Sequence, residues 1–492
     1  MEGNVFRAAK WSTVTEILAR LAAPVTNAIL ARLLMPEAFG LAATIMVVIS
    51  FAEVFTDAGF QKYLVQREFK DTQDMSESTN VAFWTNMGLS LSLWGIFVLF
   101  RNQIAFITGA PALGKAIAVA GVSIPLIGLS SIQAALFRRR FDFKTLFFIR
   151  LVSVCIPFVV TIPAAVYFRN YWALVIGTIC VYAFTALLLT IRSPWKPKLC
   201  YSVSKLREML SFCVWTLLEQ IVIWIGSNAG ILIVAKVLNE YYLGLYKISI
   251  STVTSLLSVV TASSMPILFS SLSRLQNDHE QYWKMFFGFQ KSIALIIFPM
   301  CTGLFLFRNL ATSILLGEQW LITADFIGLL SVSNCISVVF SYPISEVYRS
   351  SGRPKMSLLA QSIYLALGIP TLLYGATQGY QMLCVATAIT SIFLVVINQI
   401  LLRILYGISV SRTMRNILPS LVATAIMGSA GLLLQQVSNG VLWSFASIGI
   451  CVLIYASVVL IIPSTRNDLK RIWQLKVSMA AQNSSPNDAQ YD

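Results

Sequence analysis

A small set of charged side chains interrupts long stretches of apolar sequence. The set consists of Glu16, Arg20, Glu53, Asp57, Arg150, Glu219 and Lys291. Glu16 lies one helical turn before Arg20, which places both on one face of a helix in the order that favours an ion pair. Glu53 and Asp57 have the same spacing, and two carboxylates on one face repel each other unless a cation lies opposite. Such a set can pair internally, bind an anionic ligand or bind a cation.

The sequence contains no pattern that is typical of covalent catalysis or of a metal site. His279 is the only histidine, and the eight cysteines stand singly, so neither a zinc site nor a disulfide framework is predicted. Nucleophile-elbow, zinc-protease and phosphate-loop motifs are absent as well. We therefore expect a protein that is not an enzyme and that uses no cofactor and no metal.

The charges lie in segments that are long enough to cross a membrane. Of the 492 residues, 57% are hydrophobic and only 12% are charged, and the mean hydropathy is +0.75. About fourteen apolar segments have the roughly 20 residues that a helix needs to span the hydrocarbon core. A charge at the bilayer centre costs about 2.5–3.5 kcal/mol, so one that is retained there normally faces a cavity or a partner.

Basic residues are concentrated in every second connection between these segments. One side of the membrane receives most of the 36 Lys and Arg residues. The other side receives Arg32, Arg101, Lys115, Arg169, Lys236, Lys247 and Arg308. Because cytoplasmic loops carry the excess of basic residues, both termini are predicted to be cytoplasmic. This bias also explains the net charge of +15, so we expect no nucleic-acid partner.

The sequence contains an internal repeat. One register superimposes residues 29–34 on residues 233–238 and Gly40 on Gly244. The repeat maps six spans onto the next six, and an even number of spans leaves both halves in the same orientation. We predict an all-α integral membrane fold with about fourteen transmembrane helices. They are arranged as two pseudo-symmetric six-helix lobes around a central cavity, with two further C-terminal helices.

The spans divide the chain into four predicted parts. Residues 1–193 form the N-terminal lobe with helices 1–6, and residues 194–410 form a cytoplasmic linker and the C-terminal lobe with helices 7–12. Residues 411–463 hold the last two helices. Residues 464–492 are first basic and then polar, which predicts a cytoplasmic tail that contacts anionic lipid headgroups and continues as a disordered segment.

Three stretches resemble a known family. Leu30–Leu41 (LARLLMPEAFGL), Asp57–Arg67 (DAGFQKYLVQR) and Leu316–Trp320 (LGEQW) are similar to sequences of the Wzx-type polysaccharide flippases. These belong to the multidrug/oligosaccharidyl-lipid/polysaccharide exporter superfamily, in the branch that includes the colanic-acid, succinoglycan and teichuronic-acid exporters. The resemblance extends over most of the chain, from Lys10 to Ile462.

The resemblance implies a flippase of the bacterial inner (plasma) membrane. It implies that undecaprenyl-diphosphate-linked oligosaccharide repeat units move by alternating access from the cytoplasmic to the periplasmic leaflet, for exopolysaccharide, capsule, O-antigen or lipopolysaccharide synthesis. The implied partners are membrane lipids and the polymerase and glycosyltransferases of the same pathway. This branch has no universally transferable substrate-contact motif, so the resemblance indicates an activity better than a site.

Two interpretations of the intramembrane charges remain open. The functional one assigns diphosphate contacts to Arg20, Arg150 and Lys291. It assigns supporting or ion-coupling roles to the carboxylates Glu16, Glu53, Asp57 and Glu219, and it lets Trp224 stack on a sugar ring. The structural one treats the charges as an ion-pair cluster that joins helices, and Trp224 as a packing or interfacial aromatic.

Two other functions remain open as well. A cation-coupled small-molecule exporter of the multidrug type, on the same fold, is compatible with the layer of intramembrane charges. An integral-membrane sugar polymerase or ligase is disfavoured, because such enzymes usually hold their chemistry in a large outer loop. The predicted outer connections here are short, such as Met35–Ala38.

Overall fold

The structure of the protein is a computed structural model that describes residues 22, 24–56, 59–67, 69–140, 142–438 and 440–462. These residues form helices and short connections, and no strand occurs among them. Residues 24–33, which belong to the first predicted span, are helical. The beginning of that span and the predicted tail after residue 463 lie outside the described residues.

Within the described residues, 13 helices are long and apolar enough to cross a membrane. In chain order they are α1 (Pro36–Thr56), α2 (Thr72–Leu99), α3 (Pro111–Arg139), α4 (Phe143–Phe168), α5 (Trp172–Arg192), α6 (Val203–Val237), α7 (Glu240–Arg274), α8 (His279–Leu306), α9 (Glu318–Ser350), α10 (Pro354–Thr377), α11 (Tyr380–Tyr406), α12 (Val410–Val437) and α13 (Val441–Ile461). Short helices between them are Phe60–Gln66, Arg101–Ile107 and Arg308–Leu315. The predicted all-α, multi-span membrane fold is confirmed.

The second apolar segment, residues 39–64, is not one continuous helix. α1 ends at Thr56, and the next helix begins at Phe60. Between them Gly59 has a φ of 91°, a left-handed conformation that glycine adopts without strain. A Cβ atom at this position would also lie 3.0 Å from the side chain of Thr216 on α6. The segment is therefore broken by a turn that only glycine fits.

α4 contains one π-helical turn, at Pro157–Thr161. Proline has no amide hydrogen and leaves a carbonyl group of the preceding turn without its usual partner. Membrane helices compensate such losses by local π or 3₁₀ adjustments. At the end of this turn, Thr161 occupies the space that a side chain at Gly177 of α5 would need. The π turn thus lies where α4 packs against α5.

The chain separates into two compact units. Of the described residues, the first unit comprises those up to Ser263 together with Thr312–Leu330 and Leu358–Phe393. The second comprises Ser264–Ala311, Ser331–Ser357 and the described residues from Leu394 onward. Buried apolar clusters of the first unit include Ile45, Ile117, Ile124, Phe60 and Val81. A cluster of the second includes Phe286, Tyr348 and Leu402. Because lipid tails are as apolar as these side chains, close packing holds membrane helices together.

Within the first unit, α1 and α7 meet at a pair of glycines that the repeat superimposes. A Cβ atom at Gly40 would overlap the carbonyl oxygen of Glu240, and one at Gly244 would overlap that of Pro36. The same register relates Pro36 to Glu240, so the two contacts are reciprocal, as they are across a two-fold axis. Small residues at such a contact allow two helix backbones to approach closely.

A second pair of contacts in the first unit is also reciprocal. Gly109, with a φ of 82°, packs against the backbone of Ala235 at the end of α6. At Gly317, with a φ of 105°, a Cβ atom would lie 3.4 Å from the Arg32 side chain. Residues 31 and 32 superimpose on residues 235 and 236 in the repeat. Each loop therefore rests on the helix end that belongs to the other half of the repeat.

Substitution of either crossing glycine should destabilise the protein. We expect Gly40→Ala and Gly244→Ala each to cost about 1–3 kcal/mol, since a methyl group there forces the backbones apart. Gly88→Ala on α2 is the matched control, because a Cβ atom at Gly88 meets nothing within 4 Å. Thermal unfolding can be followed with a thiol-reactive dye, since Cys213, Cys301 and Cys335 are buried. Equal melting temperatures for Gly40→Ala and Gly88→Ala would contradict the close crossing.

Candidate functional site

A polar cluster of the first unit contains two of the predicted site residues. Glu53, near the end of α1, accepts a hydrogen bond of 2.7 Å from the hydroxyl group of Tyr182 on α5. Arg150 of α4 is close enough to Tyr182 for an electrostatic interaction, and its side chain is exposed. We call Glu53, Tyr182 and Arg150 the Glu53 cluster. It combines a carboxylate, a hydroxyl group and a guanidinium group from three helices, α1, α5 and α4.

Trp224 lies beside this cluster. Its indole N–H donates a hydrogen bond of 2.9 Å to the Ser50 hydroxyl group, and its ring lies 4.8 Å from that of Phe51, centroid to centroid. Ser50 is one turn before Glu53 on α1. These contacts fix the half-buried indole of α6 against α1. Its stacking on a sugar stays a prediction.

The remaining predicted site residues are not brought together by the described structure. Lys291 is half-buried on α8 and belongs to the second unit. Glu16, Arg20 and Asp57 lie outside the described residues, as does the side chain of Glu219. Their predicted roles stay predictions.

Lys247 is a candidate that the sequence analysis missed. α7 begins at Glu240, so Lys247 lies about 10 Å along the helix at 1.5 Å per residue. Its side chain is half-buried, and no carboxylate or other hydrogen-bond partner contacts it among the described residues. The sequence analysis assigned Lys247 to the outer side of the membrane, because a lysine near a span end can extend to the interface. It was therefore not considered as a site residue. An ionisable group inside a membrane helix marks a site by default.

One end of the first unit is sealed by the Leu316–Trp320 stretch. The Trp320 indole N–H donates a hydrogen bond of 2.7 Å to the carbonyl oxygen of Ala31. The Gln319 amide donates one of 3.2 Å to the carbonyl oxygen of Leu34, and the Arg32 guanidinium group donates one to Ile314. The last carbonyl groups of a helix lack internal partners. The stretch therefore caps the helix that precedes α1.

Among the described residues, the space beside the seal is small. The void lined by Pro24, Asn27 and Leu316 has a volume of about 10 Å³, which is the lower limit for one water molecule. Asn27 also donates a hydrogen bond of 3.0 Å to Ser251 on α7. Trp320 is fully buried, and its ring packs edge-on against Phe39 at 5.4 Å. The described residues at this end of the unit are therefore closely packed.

The opposite, basic end of the first unit is held by ion pairs. Arg67 contacts Glu208 at 2.6 Å and Asp74 at 3.8 Å. Asp74 also accepts a hydrogen bond from Lys205, which raises the pKa of that ammonium group. Arg139 donates to the carbonyl oxygens of Leu64 and Arg67, at 2.8 and 2.6 Å. These cations satisfy internal partners and are therefore structural.

Comparison with known proteins adds to this geometry. The family model described as polysaccharide biosynthesis protein matches residues 29–325, which is more than half of the chain. The chain belongs to this family. The match includes α1 to α8, the Glu53 cluster and the sealing stretch.

Several curated proteins are similar to this chain over most of their length. The chain is 23% identical to the lipopolysaccharide biosynthesis protein WzxC of Escherichia coli K12, over 79% of this chain and 80% of the relative. It is 22% identical to the teichuronic acid biosynthesis protein TuaB of Bacillus subtilis 168, over 86% of this chain and 88% of the relative. The resemblance to Wzx-type polysaccharide flippases is confirmed.

Solved structures of transporters share the fold of this family member. The lipid II flippase MurJ, in an inward closed conformation, matches with a TM-score of 0.75 and 16% identity, over 92% of this chain and 98% of that chain. An inward-facing multidrug transporter of the MATE family matches with a TM-score of 0.63 and 14% identity, over 79% of this chain and 97% of that chain. Family and fold are those of transporters, in agreement with the expectation that the chain is not an enzyme.

The seal makes a direct prediction about accessibility. A cysteine introduced at Asn27 should react slowly with a water-soluble maleimide, and Trp320→Phe should speed this reaction roughly fivefold, since a hydrogen bond contributes about 1 kcal/mol. Trp443→Phe is the matched control, because the Trp443 indole also donates to a carbonyl oxygen, that of Leu434 at 2.7 Å. The parent chain without the new cysteine supplies the background. An unchanged rate in Trp320→Phe would contradict the seal.

Proposed function

We propose that the protein is a flippase that carries undecaprenyl-diphosphate-linked oligosaccharide repeat units from the cytoplasmic to the outer leaflet of the bacterial inner membrane. The observation that carries the proposal is the half-buried Lys247, which has no hydrogen-bond or ion-pair partner among the described residues, on a fold shared with a lipid II flippase. A diphosphate is the part of such a substrate that needs cations inside the membrane. The relatives that are named for lipopolysaccharide and teichuronic acid biosynthesis support the same substrate class.

In this proposal the cations contact the diphosphate. They are Arg20, Arg150 and Lys291, joined by Lys247. The carboxylates Glu16, Glu53, Asp57 and Glu219 hold these cations or bind a coupling ion, and Trp224 contacts the saccharide. Arginine and lysine are suited to the task, since both form charge-assisted hydrogen bonds to phosphate oxygens.

The proposed orientation places both termini in the cytoplasm, because the basic connections then lie inside. The end sealed by Trp320 faces outward, and the end with the Arg67 ion pairs faces inward. Residues 1–193 and 194–410 act as two lobes, residues 411–463 as an added helix pair and residues 464–492 as a cytoplasmic tail. The polymerase and glycosyltransferases of the same pathway are the proposed partners.

The proposed cycle is alternating access. Opening the outer end requires loss of the Trp320–Ala31 hydrogen bond and separation of Gly40 from Glu240. A substrate drives this change only as far as its affinity differs between the two states. An inside-negative potential favours outward movement of an anionic headgroup by about 2.3 kcal/mol per charge per 100 mV.

A cation-coupled exporter of small molecules is the second candidate. The shared fold with a multidrug MATE transporter favours it, and the Glu53 carboxylate supplies a group that binds a cation. Accumulation of a fluorescent drug in cells with and without the protein separates the two candidates. Drug efflux that responds to Glu53→Gln, together with normal glycolipid display, would favour the exporter.

Removal of the protein should trap the glycolipid. In cells that lack the gene, lipid-linked repeat units should accumulate in the inner leaflet, where a membrane-impermeant glycan oxidant added to intact cells cannot reach them. A plasmid copy should restore labelling. Normal outer-leaflet labelling in the deletion strain would overturn the proposal.

The intramembrane cations should be needed for this transport. We expect Lys247→Ala and Arg150→Ala to reduce outer-leaflet labelling about tenfold or more, since hydrogen bonds to charged groups contribute about 1.5–3 kcal/mol. Arg20→Ala and Arg20→Lys test the residue predicted beside Glu16 in the same assay. Arg192→Ala, at the exposed end of α5, is the control and should label normally. Normal transport in Lys247→Ala and Arg150→Ala would leave these cations with structural roles only.

A further inference from the structure

The second unit contains a pocket of about 330 Å³ at its basic end. Its walls include Gln276, Asn277, His279, Trp283, Arg353 and Tyr406. Ligand sites typically have volumes of about 300–1,000 Å³, so the pocket is large enough for a small molecule. None of the charged residues assigned to transport lines it. It is therefore a separate feature of the protein.

The pocket is preformed by the way α8 begins. Asp278 caps this helix, accepting a hydrogen bond of 3.0 Å from the backbone amide of Gln281. The two residues before the cap, Gln276 and Asn277, line the pocket. The Gln276 side chain donates a hydrogen bond to the carbonyl oxygen of Ser350. The Tyr282 hydroxyl group lies 2.6 Å from that of Ser350. The wall from α8 is thus tied to the end of α9.

Aromatic rings form the inner wall. Trp283 is only 5% exposed, and its ring lies 5.5 Å from the ring of Tyr406 and 5.5 Å from that of Phe286, centroid to centroid. Its indole N–H donates a hydrogen bond of 3.3 Å to His279. Packed rings of this kind lose little conformational entropy when a ligand binds, because they are already fixed.

Arg353 is the cation of the pocket. Its guanidinium carbon lies 5.7 Å from the centre of the Tyr406 ring, within the range of a cation–π interaction. Within the described residues no carboxylate pairs with it, whereas Arg349, in the last turn of α9, contacts Glu346 at 3.2 Å. The wall carries no acidic side chain, so the pocket has an uncompensated positive charge.

A buried hydroxyl group in the wall also has unused hydrogen-bonding capacity. The Tyr406 hydroxyl oxygen is buried, and among the described residues it has no hydrogen-bond partner. A buried polar group left without a partner costs about 1–3 kcal/mol. A polar ligand that reorders this wall would supply one.

The corresponding corner of the first unit is filled instead. Asp71 caps α2 as Asp278 caps α8, and three residues later the first unit has Asp74 where the second has Gln281. Asp74 pairs with Lys205 and with Arg67. The second unit has an amide in place of this carboxylate. Among the described residues, no carboxylate pairs with Arg353 at the pocket of the second unit.

We propose that this pocket binds a glycosyl phosphate. Arg353 contacts the phosphate, because its planar fork matches phosphate oxygens. The ring of Tyr406 and the edge of Trp283 pack against the sugar, whose C–H faces suit aromatic surfaces, and Asn277 and His279 bond to its hydroxyl groups. The choice of a saccharide rests on the proposed flippase function, whereas the phosphate contact rests on the pocket alone. The ligand is either a soluble sugar phosphate or the headgroup of a lipid-linked one.

The test measures binding to the full chain in lipid nanodiscs by calorimetry. The soluble probes are glucose 1-phosphate and galactose 1-phosphate, and the lipid probe is undecaprenyl-diphosphate-linked N-acetylglucosamine incorporated in the disc. Binding of either kind should weaken about tenfold or more in Arg353→Ala, since charged hydrogen bonds are lost. Arg353→Lys should retain part of the affinity. Arg349→Ala, which breaks the neighbouring ion pair, should bind normally.

The outcomes assign the source or overturn the proposal. Arg353-dependent binding of a soluble probe assigns the pocket to a cytosolic ligand, and Arg353-dependent binding of the lipid probe alone assigns it to a membrane one. Binding of no probe, equal binding to Arg353→Ala, or equal affinity for inorganic phosphate would overturn it. An unchanged melting temperature of Arg353→Ala excludes misfolding. Transport measured on the same variants keeps this test apart from the flippase proposal. Transport without binding of any probe would overturn the pocket proposal and leave the flippase proposal intact.

Discussion

A membrane interior offers no water to a backbone carbonyl group. The protein itself must therefore supply hydrogen bonds to the carbonyl groups that helix breaks and buried helix ends leave without a partner. Long polar side chains perform this task throughout the described structure. They include the bonds from Trp320 to Ala31, from Gln435 to Leu306, from Tyr455 to Leu295 and from Trp443 to Leu434. Each of these bonds also joins two helices or a helix and a loop. The polar residues that interrupt the apolar pattern therefore hold the helices together.

The same constraint decides how the helices can approach each other. Without a hydrophobic effect between helices in lipid, contact area and close approach supply the stability. Gly40 and Gly244 bring α1 and α7 to backbone contact, and Gly177 admits Thr161 between α4 and α5. Because Gly40 and Gly244 are related by the repeat, each half contributes one glycine that allows a close backbone contact with the helix of the other half. The duplicated sequence thus provides both sides of the interface between α1 and α7.

The sequence predicted the spans well, because length and hydropathy are local properties of the chain. The breaks were not predictable in the same way. Gly59 turns the chain where Thr216 leaves no room for a side chain, and the π turn at Pro157–Thr161 is fitted to α5. Both depend on a neighbour that is remote in sequence. A proline or a glycine alone does not reveal whether a helix bends, widens or stops.

The candidate site was predicted only in part, for a related reason. A carboxylate in an apolar run is conspicuous, so Glu53 was found, but its partner Tyr182 resembles any other membrane aromatic. Lys247 was hidden by its nearness to a span end, where a lysine can reach the interface. The pocket around Arg353 was invisible, because its residues come from three separate segments and only folding places them together.

The cap on the first helix has a consequence for how the protein is made. Gln319 donates to the carbonyl oxygen of Leu34 across 285 residues of chain, and translation at about 5–20 residues per second needs roughly 15–60 s to cover that distance. During this interval the helix end at Leu34 has neither of its caps from the Leu316–Trp320 stretch. This helix end must therefore remain at the membrane interface, where water and headgroups can solvate its carbonyl groups. The helix end at Leu34 in the first half of the protein therefore receives its cap only after the Leu316–Trp320 stretch of the second half has been synthesised.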